Sequence, residues 1–144
     1  MREIILTVKR TLSVPVECSE TSPNSFAGKT LDQIRATEVW EGNRRNRLED
    51  IFQVKEEGGA ASDELVVRIV GDASRIRKIG YRMTEGSIAI EGNAGMYLGE
   101  EMSAGSITVS GNAGAWLGSK MKGGAIEVKG NAGDFVGSSY RGST

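Results

Sequence analysis

Hydrophobic positions along this chain follow two regimes. In the first, apolar residues alternate in short, interrupted runs: Ile4, Leu6 and Val8, then Leu12, Val14, Val16 and Cys18. Alternation of this kind predicts extended chain over residues 2–18. Pro15 removes a ladder donor, so the second run is expected to be an edge strand or a wrapping arm. Residues 22–28 read as a loop around Pro23. Thr30 and Gln33 have capping-box spacing and predict a short helix ending near Arg35. A strand over 37–41, a turn at Gly42-Asn43 and a second strand over 51–55 follow, and the charged, glycine-bearing stretch 56–63 reads as a linker.

The second regime is periodic. One phrase is written three times, GSIAIEGNAGMYLG, GSITVSGNAGAWLG and GAIEVKGNAGDFVG, opening at Gly86, Gly105 and Gly124. The step of 19 residues, with no helical stretch between copies, predicts a stacked repeat architecture. Residues 65–86 fit the same phrase if two residues are inserted after Ser74. Val67 and Ile69 then take the inward strand positions, Ile79-Gly80 stands for Leu98-Gly99, and Met83 aligns with Met102 and Met121. The expected fold is mainly β: a right-handed single-stranded β-helix over 63–144, of about four coils, preceded by a small α+β segment over 1–62. A stack that short is expected to want a cap, a partner, or both.

Positions one period apart form columns. Ile88, Ile107 and Ile126 make one inward ladder above Val67, and Ile90, Val109 and Val128 make a second. The corner residues Gly92, Asn93 and Gly95 recur as Gly111, Asn112 and Gly114, and as Gly130, Asn131 and Gly133. They read as structural turns, with the asparagines tolerating left-handed backbone. Next to them two apolar columns conflict: Leu98, Leu117 and Val136 are aliphatic, while Tyr97, Trp116 and Phe135 just before them are aromatic. Neighbours in extended chain face opposite ways. Either the backbone turns so that both columns reach the core, or the aromatic column lies on the outer wall as a docking face.

Composition narrows the chemistry. A net charge of -1 argues against a nucleic-acid partner, and no apolar run approaches the roughly 18 residues that span a bilayer. The first ten residues do not read as a secretory signal, and the expected location is cytoplasmic. There is no histidine and only one cysteine, Cys18. The commonest general base and metal ligand are therefore missing, and one cysteine cannot hold an iron–sulfur cluster or a structural zinc. No catalytic, cofactor-binding or metal-binding residue is expected on this chain. The GNAG phrase lacks the Lys-Ser/Thr pair of a phosphate loop. Arg44, Arg45 and Arg47 form one basic knot, read as a solvated turn or a match for an acidic patch on a partner.

The repeat order GxIxVxGNAGxxLGxxMxxG resembles the glycine-rich β-helix at the end of the glutamate synthase large subunit. The whole chain more closely resembles the C subunit of formylmethanofuran dehydrogenase. The opening Glu3-Ile-Ile-Leu-Thr7, the Phe26-Ala-Gly-Lys29 segment, the stretch from Gly42-Asn43 to Ile51-Phe52 and the closing Gly137-Ser-Ser-Tyr-Arg-Gly142 carry that resemblance. It implies a non-catalytic assembly subunit of the complex that reduces CO2 with methanofuran to formylmethanofuran, the first step of methanogenesis. Its partners would be a metallopterin subunit with tungsten or molybdenum and iron–sulfur clusters, and an amidohydrolase-like subunit with a binuclear metal site. Members of that family continue for several more coils, so this chain is expected to hold only part of the partner interface. The alternative is a glutamate-synthase-like β-helix coupling two active sites.

Overall fold

A computed structural model describes residues 2–58 and 64–134. The chain is mainly β, with mixed sheets. The opening alternation forms β1 (Arg2–Val8), whose Ile4 and Leu6 are fully buried. The same pattern in β6 (Leu65–Val70) buries Leu65, Val67 and Ile69. These two strands pair in parallel at the middle of a six-stranded sheet. On one side β1 pairs antiparallel with β5 (Phe52–Gly58). On the other, β6 leads in parallel to β8 (Ser87–Glu91), β9 (Ser106–Val109) and β10 (Ala125–Val128). Strands from both sides of residue 62 therefore share this sheet.

Register within this sheet reproduces both inward columns. Val67, Ile88, Ile107 and Ile126 lie side by side, as do Ile69, Ile90, Val109 and Val128. Each column also extends one strand further than the repeats, because Ile4 pairs with Val67 and Leu6 with Ile69. Met83 and Met102 are fully buried beneath them. The two residues inserted in the first copy fall between Ala73, which bridges Ala94, and Lys78, whose N–H donates to Met96 O at 3.1 Å. The longer path makes room for β7 (Ile76–Arg77), and β7 receives the N-terminal segment by pairing with β2 (Val16–Glu17).

A second sheet, ordered β4-β3-β2-β7, holds the remaining strands, β3 (Glu38–Glu41) and β4 (Arg44–Arg47). Three expectations for this region are corrected. The run after Pro15 is an interior strand rather than an edge or an arm: Pro15 sits just ahead of β2, where its carbonyl accepts from Gly42 N at 3.0 Å. The stretch around Pro23 is a helix, α1 (Pro23–Phe26), because Ser22 caps Ser25 N and proline suits the first helical turn. The hairpin partner of β3 is the arginine stretch β4, not residues 51–55. Gly42, at φ +61°, reverses the chain so tightly that the return strand begins at Arg44. Leu48 and Ile51 then bury together from α3 (Leu48–Ile51), and β5 leaves for β1. The predicted capping box is present: Thr30 and Gln33 bond reciprocally at the start of α2 (Leu31–Arg35).

Arg10 ties the chain after β1 to β3 by two bonds to Glu41, at 2.8 and 2.6 Å. The Arg10 guanidinium holds the Glu41 carboxyl below its ordinary value. A carboxyl with a depressed folded-state pKa stabilises the fold above its unfolded pKa, and that contribution is lost as pH falls through the folded value. The Glu41→Gln variant is therefore expected to have a lower Tm than the wild type near neutrality, and the gap should close between about pH 5 and pH 3. Parallel melting curves at the two pH values check this. A gap that stays constant would assign Glu41 no charge-dependent role.

Candidate interaction face

The GNAG corner most resembles a ligand loop. Its amides are engaged by neighbouring repeats: Ala94 N donates to Asn112 O at 2.8 Å, Ala113 N to Asn131 O at 2.9 Å, and Gly111 N to Gly92 O at 2.9 Å. The asparagine side chains continue the same ladder, with Asn112 N donating to Asn93 Oδ1 and Asn131 N to Asn112 Oδ1, both at 2.9 Å. Asp72 stands at the first rung, and its bonds with Ser74 lower its pKa. The asparagines are not left-handed, contrary to expectation. The side-chain carbonyls of Asn93 and Asn112 are needed because each accepts the next repeat's amide. The glycines are needed because repeats meet backbone to backbone. A Cβ at Gly95 would lie 2.2 Å from Ile76 O, and one at Gly130 2.3 Å from Asn112 Oδ1. Gly114 and Gly133 are similarly confined.

Left-handed backbone falls instead on the aromatic column. Tyr97 has φ +61° and Trp116 φ +65°, and this twist answers the conflict between the two apolar columns. It lets Leu98 and Leu117 turn inward to 1% and 7% exposure while both rings stay half-buried at the outer wall. The rings stack on each other, 6.1 Å between centroids and 11° between planes. Phe135 lies outside the described residues.

The wall reaches further back than the aromatic pattern suggested. Lys78 holds the equivalent place in the first copy, also left-handed at φ +65°. Its ammonium sits 5.2 Å from the Tyr81 ring centre and 6.0 Å from that of Tyr97, and 3.5 Å from the Glu100 carboxylate. Arg82 covers Tyr81 at 5.3 Å and pairs with Glu101 at 3.6 Å. Cations over ring faces are favourable and hold the rings in place. One repeat before Tyr97 the sequence places Lys78, which a search restricted to aromatic residues passes over.

Other candidates dissolve. The basic knot is strand β4, with Arg45 lying 5.4 Å over Trp40 and 3.4 Å from Glu38, and Arg47 3.7 Å from Glu49. Burial pushes the Cys18 thiol up to about 12, which disfavours the thiolate a nucleophile needs. Among the described residues no group of three or more Cys, Asp or Glu is placed to hold a metal ion, and no helix is long and apolar enough to cross a membrane.

No protein-family model matches the chain. Curated proteins do. The C subunit of the molybdenum-containing formylmethanofuran dehydrogenase 1 of Methanosarcina barkeri is 44% identical over 98 residues, which cover 68% of this chain and 33% of that one. The C subunit of the tungsten-containing formylmethanofuran dehydrogenase 2 of Methanothermobacter wolfeii is 46% identical over 99 residues, covering 69% and 37%. This chain is a homologue of the formylmethanofuran dehydrogenase C subunits. The match to those C subunits spans about a third of their length. Molybdenum and tungsten forms match almost equally well, so identity does not separate them. Among solved structures, a chain of the formyltransferase/hydrolase complex (FhcABCD) from Methylorubrum extorquens, determined with methylofuran, superposes with a TM-score of 0.82 at 30% identity. The superposition covers 92% of this chain and 48% of that one.

Proposed function

We propose that this chain is a non-catalytic structural subunit of a formylmethanofuran dehydrogenase complex, which reduces CO2 with methanofuran to formylmethanofuran. The observation that carries this reading is the 44–46% identity to C subunits of that enzyme in both metal forms. In this reading the stacked repeats form a right-handed β-helix of about four coils, and residues 1–62 cap its first edge. The in-register parallel strands and the Asn93–Asn112–Asn131 ladder support the helix. Tungsto- or molybdopterin, iron–sulfur clusters and a binuclear metal site belong to the partner subunits, in the cytoplasm.

The wall of Tyr81, Tyr97 and Trp116 is the proposed contact with an adjoining subunit. Half-buried aromatics held by cations supply large, rigid contact area at little entropic cost, the character of interface hot spots. Purification of the tagged chain from its own cells tests the whole reading. A metallopterin subunit and an amidohydrolase-like subunit should co-elute with it, together with molybdenum or tungsten. The double variant Tyr97→Ala/Trp116→Ala should keep its fold by circular dichroism and bind its neighbours roughly 30-fold or more weakly. A chain that elutes alone would overturn the proposal.

A second reading follows from the structural neighbour, which is a formyltransferase/hydrolase complex. In it, this chain serves an assembly that handles formyl groups without reducing CO2. Co-elution of an amidohydrolase-like subunit and a formyltransferase, with neither molybdenum nor tungsten, would select it.

A further inference from the structure

The corner ladder begins at Asp72 without a rung beneath it. In the later repeats two groups meet each coil's asparagine from the coil before. Asn93 Oδ1 accepts from Asn112 N at 2.9 Å, and Ala94 N donates to Asn112 O at 2.8 Å. Asn112 Oδ1 and Ala113 N meet Asn131 in the same way, both at 2.9 Å. A rung is therefore an Asn-Ala pair that presents a side-chain oxygen and then a backbone N–H. Asp72 has the same two backbone groups to offer. Among the described residues neither its N–H nor its C=O is bonded.

Chain direction explains the gap. Arg2 N donates to Glu64 O at 2.9 Å, so the backbone of even-numbered residues in β1 faces β6. Gly71 N donates to Glu91 O on the opposite side, which turns the Asp72 backbone toward the end of β1. The chain after β1 does not continue beneath the corner, because Lys9 N donates to Ile51 O at 2.9 Å. A cleft of about 380 Å³ lies between residues 8–12 and Gly71, Asp72, Ser74 and Arg75. It opens at the end of β1 away from Arg2.

Lys9, Arg10 and Arg75 line this cleft beside the Asp72 carboxylate, which is turned to Ser74 N and Asn93 Nδ2. Glu41 engages Arg10. Lys9 donates to a carbonyl, Glu49 O at 3.0 Å, rather than to a carboxylate. Arg75 is exposed and makes no ion pair among the described residues. We propose that the cleft receives an aspartate and the residue after it from an adjoining polypeptide. One aspartate oxygen accepts from Asp72 N, the following N–H donates to Asp72 O, and Arg75 pairs with the other carboxylate oxygen. Aspartate has the side-chain length of the asparagine it imitates, and the basic lining selects its charge. A small carboxylate would leave Asp72 O without a donor, so the occupant is a polypeptide. The site does not depend on which complex the chain enters.

Amide NMR of the isotope-labelled full chain, titrated with the blocked peptide acetyl-Gly-Asp-Ala-Gly-amide, tests this. The Asp72 amide should shift saturably, together with those of Ser74 and Arg75. The matching Gly-Asn-Ala-Gly peptide should bind about tenfold or more weakly, since it lacks the charge-assisted pair. Arg75→Glu should weaken binding of the aspartate peptide by at least as much, because attraction becomes repulsion. Sodium acetate is the small-carboxylate arm and should also bind about tenfold or more weakly, lacking the N–H that Asp72 O accepts. Unchanged circular dichroism establishes that the variant folds. An Asp72 amide that the aspartate peptide never moves would overturn the proposal. Equal binding of the two peptides would overturn it by removing charge from recognition. Equal binding of acetate would do so by reducing the cleft to a small-anion site.

Discussion

Replacing Gly92 with alanine is expected to lower the Tm by roughly 10 °C, the largest effect of any single methyl added to this chain. The added Cβ would lie 2.0 Å from Gly71 O and 2.9 Å from Gly71 C, with φ at +147°. Neither strand can give way. Gly71 N donates to Glu91 O at 3.1 Å, and Gly92 O accepts from Gly111 N at 2.9 Å, so movement at one corner breaks the ladder on both sides. Overpacking and backbone strain each cost about 1–3 kcal/mol, and here they act together. Gly28→Ala is the control. Gly28 also has positive φ, +75°, but nothing lies within 4 Å of its would-be Cβ. Only the left-handed penalty of about 1–2 kcal/mol applies there. Equal drops in the two variants would mean that backbone contact between repeats is not what fixes glycine at the corner.

The second large effect concerns the far end of the sheet. Arg2 is 1% exposed, and its Nη2 donates to Lys29 O at 2.7 Å and to Glu56 Oε1 at 3.0 Å. Its Nε and Nη1 have no partner among the described residues. Glu56 is the carboxylate that offsets this buried charge, and it stands on β5 opposite Ile4, on the inner face. Glu56→Ala should cost about 3 kcal/mol in urea unfolding, because it strands a guanidinium away from water. Arg2→Met should be neutral within about 1.5 kcal/mol, or stabilising, since the stem's packing stays and the charge goes. If both variants lost the same amount, the pair would be acting as a unit whose bond, rather than its burial, contributes the stability.

What could be read from the residues follows from how strictly each physical constraint repeats. The two inward columns were legible because a 19-residue step leaves Ile88, Ile107 and Ile126 no other register in a parallel sheet, and allowing two extra residues after Ser74 brings Val67 into line. The insertion after Ser74 was legible as an extra length, but not as β7, since its partner β2 lies some sixty residues earlier in the chain. Arg2 was missed on the inner face because charge normally argues for solvent. The hairpin was misassigned because β4 has no apolar alternation. Its two faces are polar, and only backbone pairing and the Gly42 turn specify it. At the candidate interaction face the aromatic column was visible. The left-handed backbone that holds it was not, because Tyr97 and Trp116 are residues from which positive φ is least expected. Glu101 and Lys120 repeat that conformation one corner further on, at φ +57° and +56°, without any sequence signal.

The position of β1 also sets an order of events. Pairing β1 with β6 closes a loop of about sixty residues, whereas each later repeat reaches its neighbour within about twenty. Loop-closure entropy grows with the logarithm of length, so the first step costs about 1 kcal/mol more than each of those after it. Contacts between distant residues also form more slowly than local ones. Once β5, β1 and β6 are joined, every following strand meets a finished edge and needs only local chain to add to it. Assembly of this chain therefore has a slow start and a fast finish, and it runs in the direction in which the ribosome delivers the polypeptide.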